Sequence, residues 1–414
     1  MKCKKKMFPV VAAVGAVAFG IAALSLAACT SSPAKSPGTS SSQASQVSQE
    51  AWVAKNENST ISSGVYRYYL ASAYISAVST HRQDYSKSVF DQEIDGQPAE
   101  EWIRAQALEG VKNLLMVNDL MKEYNLTVST EDALLATQQS DSYWTQVKQI
   151  MQSYGITKAD AKSAQFDFQV KNTTIFEHLY TNGENKVAED DLEAYLKQNY
   201  TAFRYVLRST YDDTYTSLPE AELKDLRKQF QDYATAIRNG SMTIEDAAMD
   251  LAEKEAEKET SSASSKTTSL KNPDALKEQA EKELQTRILN LSEDADQAQQ
   301  EARYPEEMLK ALHEMKNGEV RTIEAQGYLI TVVKDDINTV AEERLADREG
   351  RREILIDWKG AEYTQNMQER MKNYQNYQLN DEEFNFDLRE YFEPADSSAS
   401  SSVSSSPLAV SSEG

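Results

Sequence analysis

Three histidines, His81, His178 and His313, are the chain's entire stock of imidazole, the side chain best suited to moving protons near neutral pH. They lie far apart and belong to no H-E-x-x-H pattern. G-x-S-x-G, the P-loop and a G-x-G-x-x-G after a strand are also absent. A Ser-His-Asp arrangement therefore has little to build on. The two cysteines, Cys3 and Cys29, both precede residue 30, so the body of the protein has neither a disulfide framework nor a thiolate metal site. Carboxylates are plentiful, but Glu100-Glu101, Glu189-Asp190-Asp191 and Asp381-Glu382-Glu383 stand at expected helix starts or on solvated faces. Negative charge at a helix start complements the helix dipole. A Ca2+ site at residues 189–191 would need the glycine spacing of an EF-hand, which is missing. The residue inventory implies no cofactor and no metal.

The elements around these residues belong to a long acidic chain. At 414 residues and net charge −22, it has room for two or three domains. Its surface repels nucleic acid, whose binding depends on neutralising phosphates with Lys and Arg. The basic residues Lys2, Lys4, Lys5 and Lys6 precede an uncharged run from Met7 to Ala28, the layout of a secretory signal. Its ending, Leu26-Ala27-Ala28-Cys29, resembles the lipobox of bacterial lipoproteins. That likeness implies cleavage before Cys29, lipidation of its thiol, and residence on the outer, extracytoplasmic face of the cell membrane. A single membrane-spanning anchor is the plainer alternative, since the uncharged run is long enough to cross a bilayer. Residues 29–49, with "TSSPAKSPGTSSSQASQVS", read as a flexible tether. The Ser-rich stretch 394–414 reads as a disordered tail.

Between them, helical periodicity dominates. Helices are expected over Ser63–Thr80, from Pro98 through residues 99–124, from Ser129 to Gly155, and over Thr157–Tyr180. The first clear strand is 201–210, followed by helices over Pro219–Asn239 and Thr243–Lys254, a Ser-rich loop, and a helix over 273–291. A helix over Pro305–Lys316 then leads through Gly318 into the strand Tyr328–Val333. The long helix expected over about 341–375 carries a stripe of Ile356, Tyr363, Met367, Met371 and Tyr374. It cannot bury that stripe alone, so it is expected to pack on the N-terminal helices.

This order, with Gly318-Glu319-Val320 and Gly327-Tyr328-Leu329-Ile330, resembles the parvulin-type peptidyl-prolyl isomerase domain. Helical arms around it, behind a lipoprotein signal, resemble the PrsA foldase family and more distantly the SurA chaperone. The resemblance implies an α+β fold, mostly α: a helical chaperone module from N- and C-terminal segments, with an inserted small parvulin-like α/β domain. The implied boundaries are 1–28 for the signal, 50–200 for the helical arm, 201–337 for the insert and 338–393 for the C-terminal helix. The implied pocket contains Tyr205, Leu207, Met308, Leu312, Tyr328 and Ile330.

The departures bear on catalysis. Tyr205 and Leu329 stand where the family has histidines, and the family's glycine-rich stretch gives way to the Ser-rich loop. Rotation about a peptide bond has a barrier of about 18–20 kcal/mol, so losing these groups implies lost or weak isomerase activity. Unfolded or nascent exported polypeptides are the implied partners. Tyr66, Tyr69, Trp102, Trp144 and Phe176 are candidates for client contact, against the commoner role of core residues. Alternative readings are an active isomerase with a substituted site and an envelope scaffold. A solute-binding lipoprotein is a further alternative, but it would show repeated βαβ units in two lobes, which are not evident.

Overall fold

The computed structural model describes residues 51–394, apart from 213, 263–276, 279, 281–283, 285, 293–294 and 296. The signal, Cys29, the tether and the tail beyond Pro394 lie outside the described residues, as does the start of the helix expected over 273–291. The fold is α+β and mostly α, with small antiparallel sheets. It divides into two compact units. One joins the residues up to Lys186 to those from Lys359 onward, and the other is Val187–Trp358.

The helical unit begins with strands β1 (Trp52–Lys55) and β2 (Thr60–Ser62). Helix α1 (Ser63–Ser76) starts where the Ser62 hydroxyl accepts from the Val65 N–H at 3.2 Å, which satisfies one of the free donors of a helix start. A two-residue hairpin of β3 (Glu93–Ile94) and β4 (Gln97–Pro98) leads into α2 (Ala99–Glu123). Helix α2 buries Val111, Leu114, Leu115, Val117 and Met121. Helix α3 (Thr130–Ser153) is capped by Ser129 and α4 (Lys158–Ala161) by a reciprocal Thr157–Asp160 box. A π-helical turn then joins α5 (Phe168–Thr181). Helices α1 and α2 meet closely because Gly110 has no side chain: a Cβ there would lie 2.7 Å from the Tyr69 ring.

The second unit opens with α6 (Glu189–Asn199), whose first turn holds Glu189, Asp190 and Asp191. Next come β5 (Tyr200–Ser209), α7 (Glu220–Arg238), α8 (Ile244–Ser262) and β6 (Arg287–Asn290). After α9 (Gln297–Arg303) and α10 (Glu306–Glu314), the hairpin of β7 (Val320–Ala325) and β8 (Tyr328–Asp335) closes a four-stranded antiparallel sheet of order β6-β5-β8-β7. β6 corrects the expectation of helix through residue 291. Arg287 to Asn290 pair with β5 from Phe203 back to Tyr200, and this pairing overrides a helical propensity that is only a weak prior. Helix α11 (Ile337–Ala346) follows and packs on α6 and β5.

The long C-terminal helix is in fact two. Asp347 is extended, with φ −80° and ψ 134°, and its carboxylate accepts from the Gly350 N–H at 2.7 Å. It thus caps the start of α12 (Arg348–Lys372), which carries residues of both units. The chain then returns to the helical unit. Strand β9 (Gln378–Leu379) pairs antiparallel with β1, followed by α13 (Asp381–Phe384) and α14 (Leu388–Phe392). Within this unit Tyr363 meets Phe176 edge-on at 5.3 Å, and Tyr66 stacks on Phe384 at 5.3 Å. Tyr74 stacks on Phe392 at 4.3 Å. Ring pairs of this kind add about 0.5–1.5 kcal/mol each beyond burial, so the C-terminal segment is held by aromatic packing as well as by one strand pair.

Candidate functional site

Side chains alternate across a sheet, and the β5–β8 register pairs Tyr205 with Val332, Leu207 with Ile330 and Ser209 with Tyr328. One face therefore carries Phe203, Tyr205, Leu207, Tyr328, Ile330 and Val332. The other carries Val206, Leu329 and Val333, packed with Phe230 and Tyr233 of α7.

The first face is covered at one end and open at the other. At the covered end, Phe203, Ile330 and Val332 pack beneath Met308, Leu312 and Met315. Tyr205 lies at the margin. Its ring stacks on Phe203 at 6.1 Å and meets the edge of Tyr304 at 6.4 Å, and the Arg287 guanidinium sits 5.4 Å from its centre. Burial pushes the Tyr304 hydroxyl above its usual range; Tyr205 adds to the shift, and Arg287 and Arg303 oppose it. Tyr304 is therefore a neutral hydroxyl at physiological pH rather than a base.

At the open end Leu207 is 43% exposed and Tyr328 42%. The chain leaving β5 adds Tyr211 and, at a loop tip, Tyr215, which is 89% exposed. The loop is shaped by Asp212, whose carboxylate accepts from the Thr214 and Thr216 N–H groups, each at 2.9 Å. Tyr215 itself adopts the left-handed region, with φ +57°. Thr210 ties the loop to the β7–β8 turn, donating its N–H and its hydroxyl to the Gly327 carbonyl at 2.8 and 2.9 Å. Gly327 has φ +80°, and a Cβ there would come within 2.5 Å of the Tyr211 ring. Only glycine lets Tyr211 lie over this turn. Among the described residues of this unit, Leu207, Tyr211, Tyr215 and Tyr328 are the exposed large hydrophobics.

Of the six residues expected in a pocket, Tyr205, Met308, Leu312 and Ile330 share one cluster, while Leu207 and Tyr328 extend that face into solvent. Leu329 does not join them. It is 2% exposed in the core beneath α7, because an odd number of strand positions separates it from Val332, the partner of Tyr205. An imidazole at position 329 would be buried on the far side of the sheet. His313 is exposed on α10, and His81 and His178 lie in the helical unit against Trp102 and Tyr124. The face thus offers rings, hydroxyls and one guanidinium, which suit apolar and prolyl side chains and peptide carbonyls.

The aromatic residues weighed for client contact in the arm lie in its core or against it. Tyr66, Tyr69, Trp102 and Phe176 are buried, and Trp144 packs half-buried against the same core as the first three. Two of them also have their polar atoms paired within the unit: Tyr69 donates to the Ala164 carbonyl at 2.8 Å and Trp102 to Asp95 at 3.1 Å. Tyr211, Tyr215, Tyr304 and Arg287 were not singled out from sequence. Two tyrosines in the turn-rich, aperiodic "YDDTYTS" were the available sign of exposure, whereas Arg287 was hidden by the helical reading of its segment.

No protein-family model matches the chain, and no curated protein does. Among solved structures, the chain is similar to foldase protein PrsA from Lactococcus lactis, at 12% identity over 81% of this chain and 97% of that one, with a TM-score of 0.32. It is also similar to foldase protein PrsA from Streptococcus pneumoniae, at 13% identity over 72% and 95% of the two chains, with a TM-score of 0.34.

Proposed function

We propose that this chain is an extracytoplasmic foldase of the holding type, lipid-anchored through Cys29, that binds unfolded exported polypeptides and has lost most or all prolyl isomerase activity. The observation that carries this reading is the open end of the β5–β8 face. Leu207, Tyr211, Tyr215 and Tyr328 are exposed there beside a covered tyrosine–arginine cluster, and no imidazole lies on that face. Exposed apolar groups gathered in one place mark interaction surfaces more often than scattered ones do. Rigid aromatic rings supply contact area at low entropic cost, which suits weak, sequence-tolerant binding. The parvulin-like insert serves in this reading as a peptide platform. The signal ending at Ala28 and the tether after Cys29 support placement on the outer face of the membrane.

The test pairs two assays on the soluble chain from residue 30: aggregation of a denatured client, and isomerisation of a short prolyl peptide. Suppression of aggregation without peptide catalysis is expected. No suppression at several-fold excess removes the holding function. Peptide catalysis abolished by Tyr205→Ala establishes an active isomerase instead. Cys29→Ser should move the full chain from the membrane to the soluble fraction.

A further inference from the structure

A second concave surface lies wholly within the helical unit, a cleft of about 860 Å³ between α2, the end of α5 and the second half of α12. Ligand sites commonly fall between about 300 and 1,000 Å³. Its floor is apolar: Met116, Leu120, Leu179 and Tyr363 are buried, and Met367 lies beside them. Methionine is unbranched and polarisable, so such a floor adapts to different side chains. The carboxamides of Asn366, Asn373 and Gln375 also belong to its lining, that of Asn373 donating one N–H to the Glu369 carbonyl at 3.1 Å. Each has both a donor and an acceptor, the complement of the N–H and C=O groups of an extended chain.

The charge is one-sided. Asp119, Glu123, Glu184 and Glu369 line the cleft, and Arg370, itself 3.5 Å from Glu184, is the cation among its lining residues. Asp119 is held in place, accepting from Asn56 at 2.9 Å, Asn58 at 2.7 Å and the Tyr374 hydroxyl at 2.7 Å. The chain's own C-terminal segment is a poor occupant, since residues 395–414 contain neither Lys nor Arg.

We infer that this cleft binds an extended polypeptide segment in which Lys or Arg alternates with aliphatic residues, the cations meeting the carboxylate rim and the aliphatic groups the methionine-lined floor. The inference rests on the foldase reading and deepens it, giving the protein a second, charge-selective client site. Such a site would let an acidic holding protein favour basic stretches without closing on any one sequence.

The experiment uses the soluble chain from residue 30 and two labelled, unstructured peptides, one alternating Lys with Leu and one alternating Glu with Leu, read by fluorescence anisotropy. The basic peptide should bind and the acidic one should not. The double variant Glu123→Lys/Glu369→Lys, at two exposed positions, should weaken basic-peptide binding about tenfold at low salt and by less at high salt. A second double variant, Asn366→Ala/Asn373→Ala, keeps the charge and should also weaken it, with circular dichroism confirming that both variants fold. Equal binding of both peptides, or basic-peptide binding unchanged in both folded variants, overturns the inference. So does binding of spermine in place of the peptide, which would mark a polyamine site. Aggregation suppression by the same preparations separates the two readings: if it persists while peptide selectivity is absent, the cleft assignment fails alone. If the parent chain lacks it, the foldase reading fails as well.

Discussion

The helical unit and the insert both bury aromatic rings in their cores, but the insert also gathers exposed ones at one end of its sheet. In the helical unit Tyr66 and Phe176 are at most 1% exposed, and rings from distant segments pack against them, stacked on Tyr66 and edge-on to Phe176. On the insert, Tyr211, Tyr215 and Tyr328 project at the open end of a sheet whose other end is sealed by α10. The difference teaches that an amphipathic ring takes its role from what covers it. In the arm, α13 and the second half of α12 supply the cover; at the open end of the β5–β8 face no described helix of the unit does.

The sharpest way to break this comparison is to truncate one ring on each side. Phe176→Ala removes a buried ring packed against Tyr180 and Tyr363 and should destabilise the helical unit by about 3–5 kcal/mol, measured by urea unfolding. A cost below 1 kcal/mol would show that the arm's rings are not its core. Gly327→Val should cost about 1–3 kcal/mol, from its left-handed backbone and the displacement of Tyr211. It should also reduce client holding, since it disturbs the open end directly. Tyr215→Ser combined with Tyr328→Ser should change stability by no more than about 0.5 kcal/mol per site while clearly lowering aggregation suppression. Unchanged suppression would move client contact elsewhere.

The smallest expected effect concerns the turn before β7. The Glu319 carboxyl is held below its ordinary value of 4.5 first by the Lys316 N–H and then by Arg321. A carboxylate with a depressed folded pKa stabilises above its unfolded pKa, and that contribution disappears as pH falls through the folded value. Glu319→Gln should therefore narrow the loss of stability below pH 4.5. The variant and parent should converge at still lower pH, a pattern that acid titration of the unfolding midpoint will detect.

Long periodic segments were the legible part of the fold. The helix read over 99–124 spans Ala99–Glu123, and the strand read over 201–210 spans Tyr200–Ser209. Their signals are local, repeated over many residues, and reinforced by capping Ser, Thr and Pro. β1, β2 and β9 were not legible, because strands of two to four residues carry too little alternation to register. They form because residues far apart in the chain pair across space. β6 was misread for the same reason. The break at Asp347 was missed because a single capping carboxylate, rather than a proline or a change of period, interrupts the helix.

At the candidate site, the residue types were visible in advance and their arrangement was not. The sequence alone determined that only three histidines exist, that positions 205 and 329 are held by Tyr and Leu, and that Gly327 sits in a turn before a strand. The tertiary structure decided that position 329 faces away from position 205, that the arm's rings are core, and that Tyr211 and Tyr215 are open. The reason is physical. Which face a strand residue occupies follows from its pairing register with another strand, and exposure follows from what packs above it. Both are relations between distant segments rather than properties of the local chain.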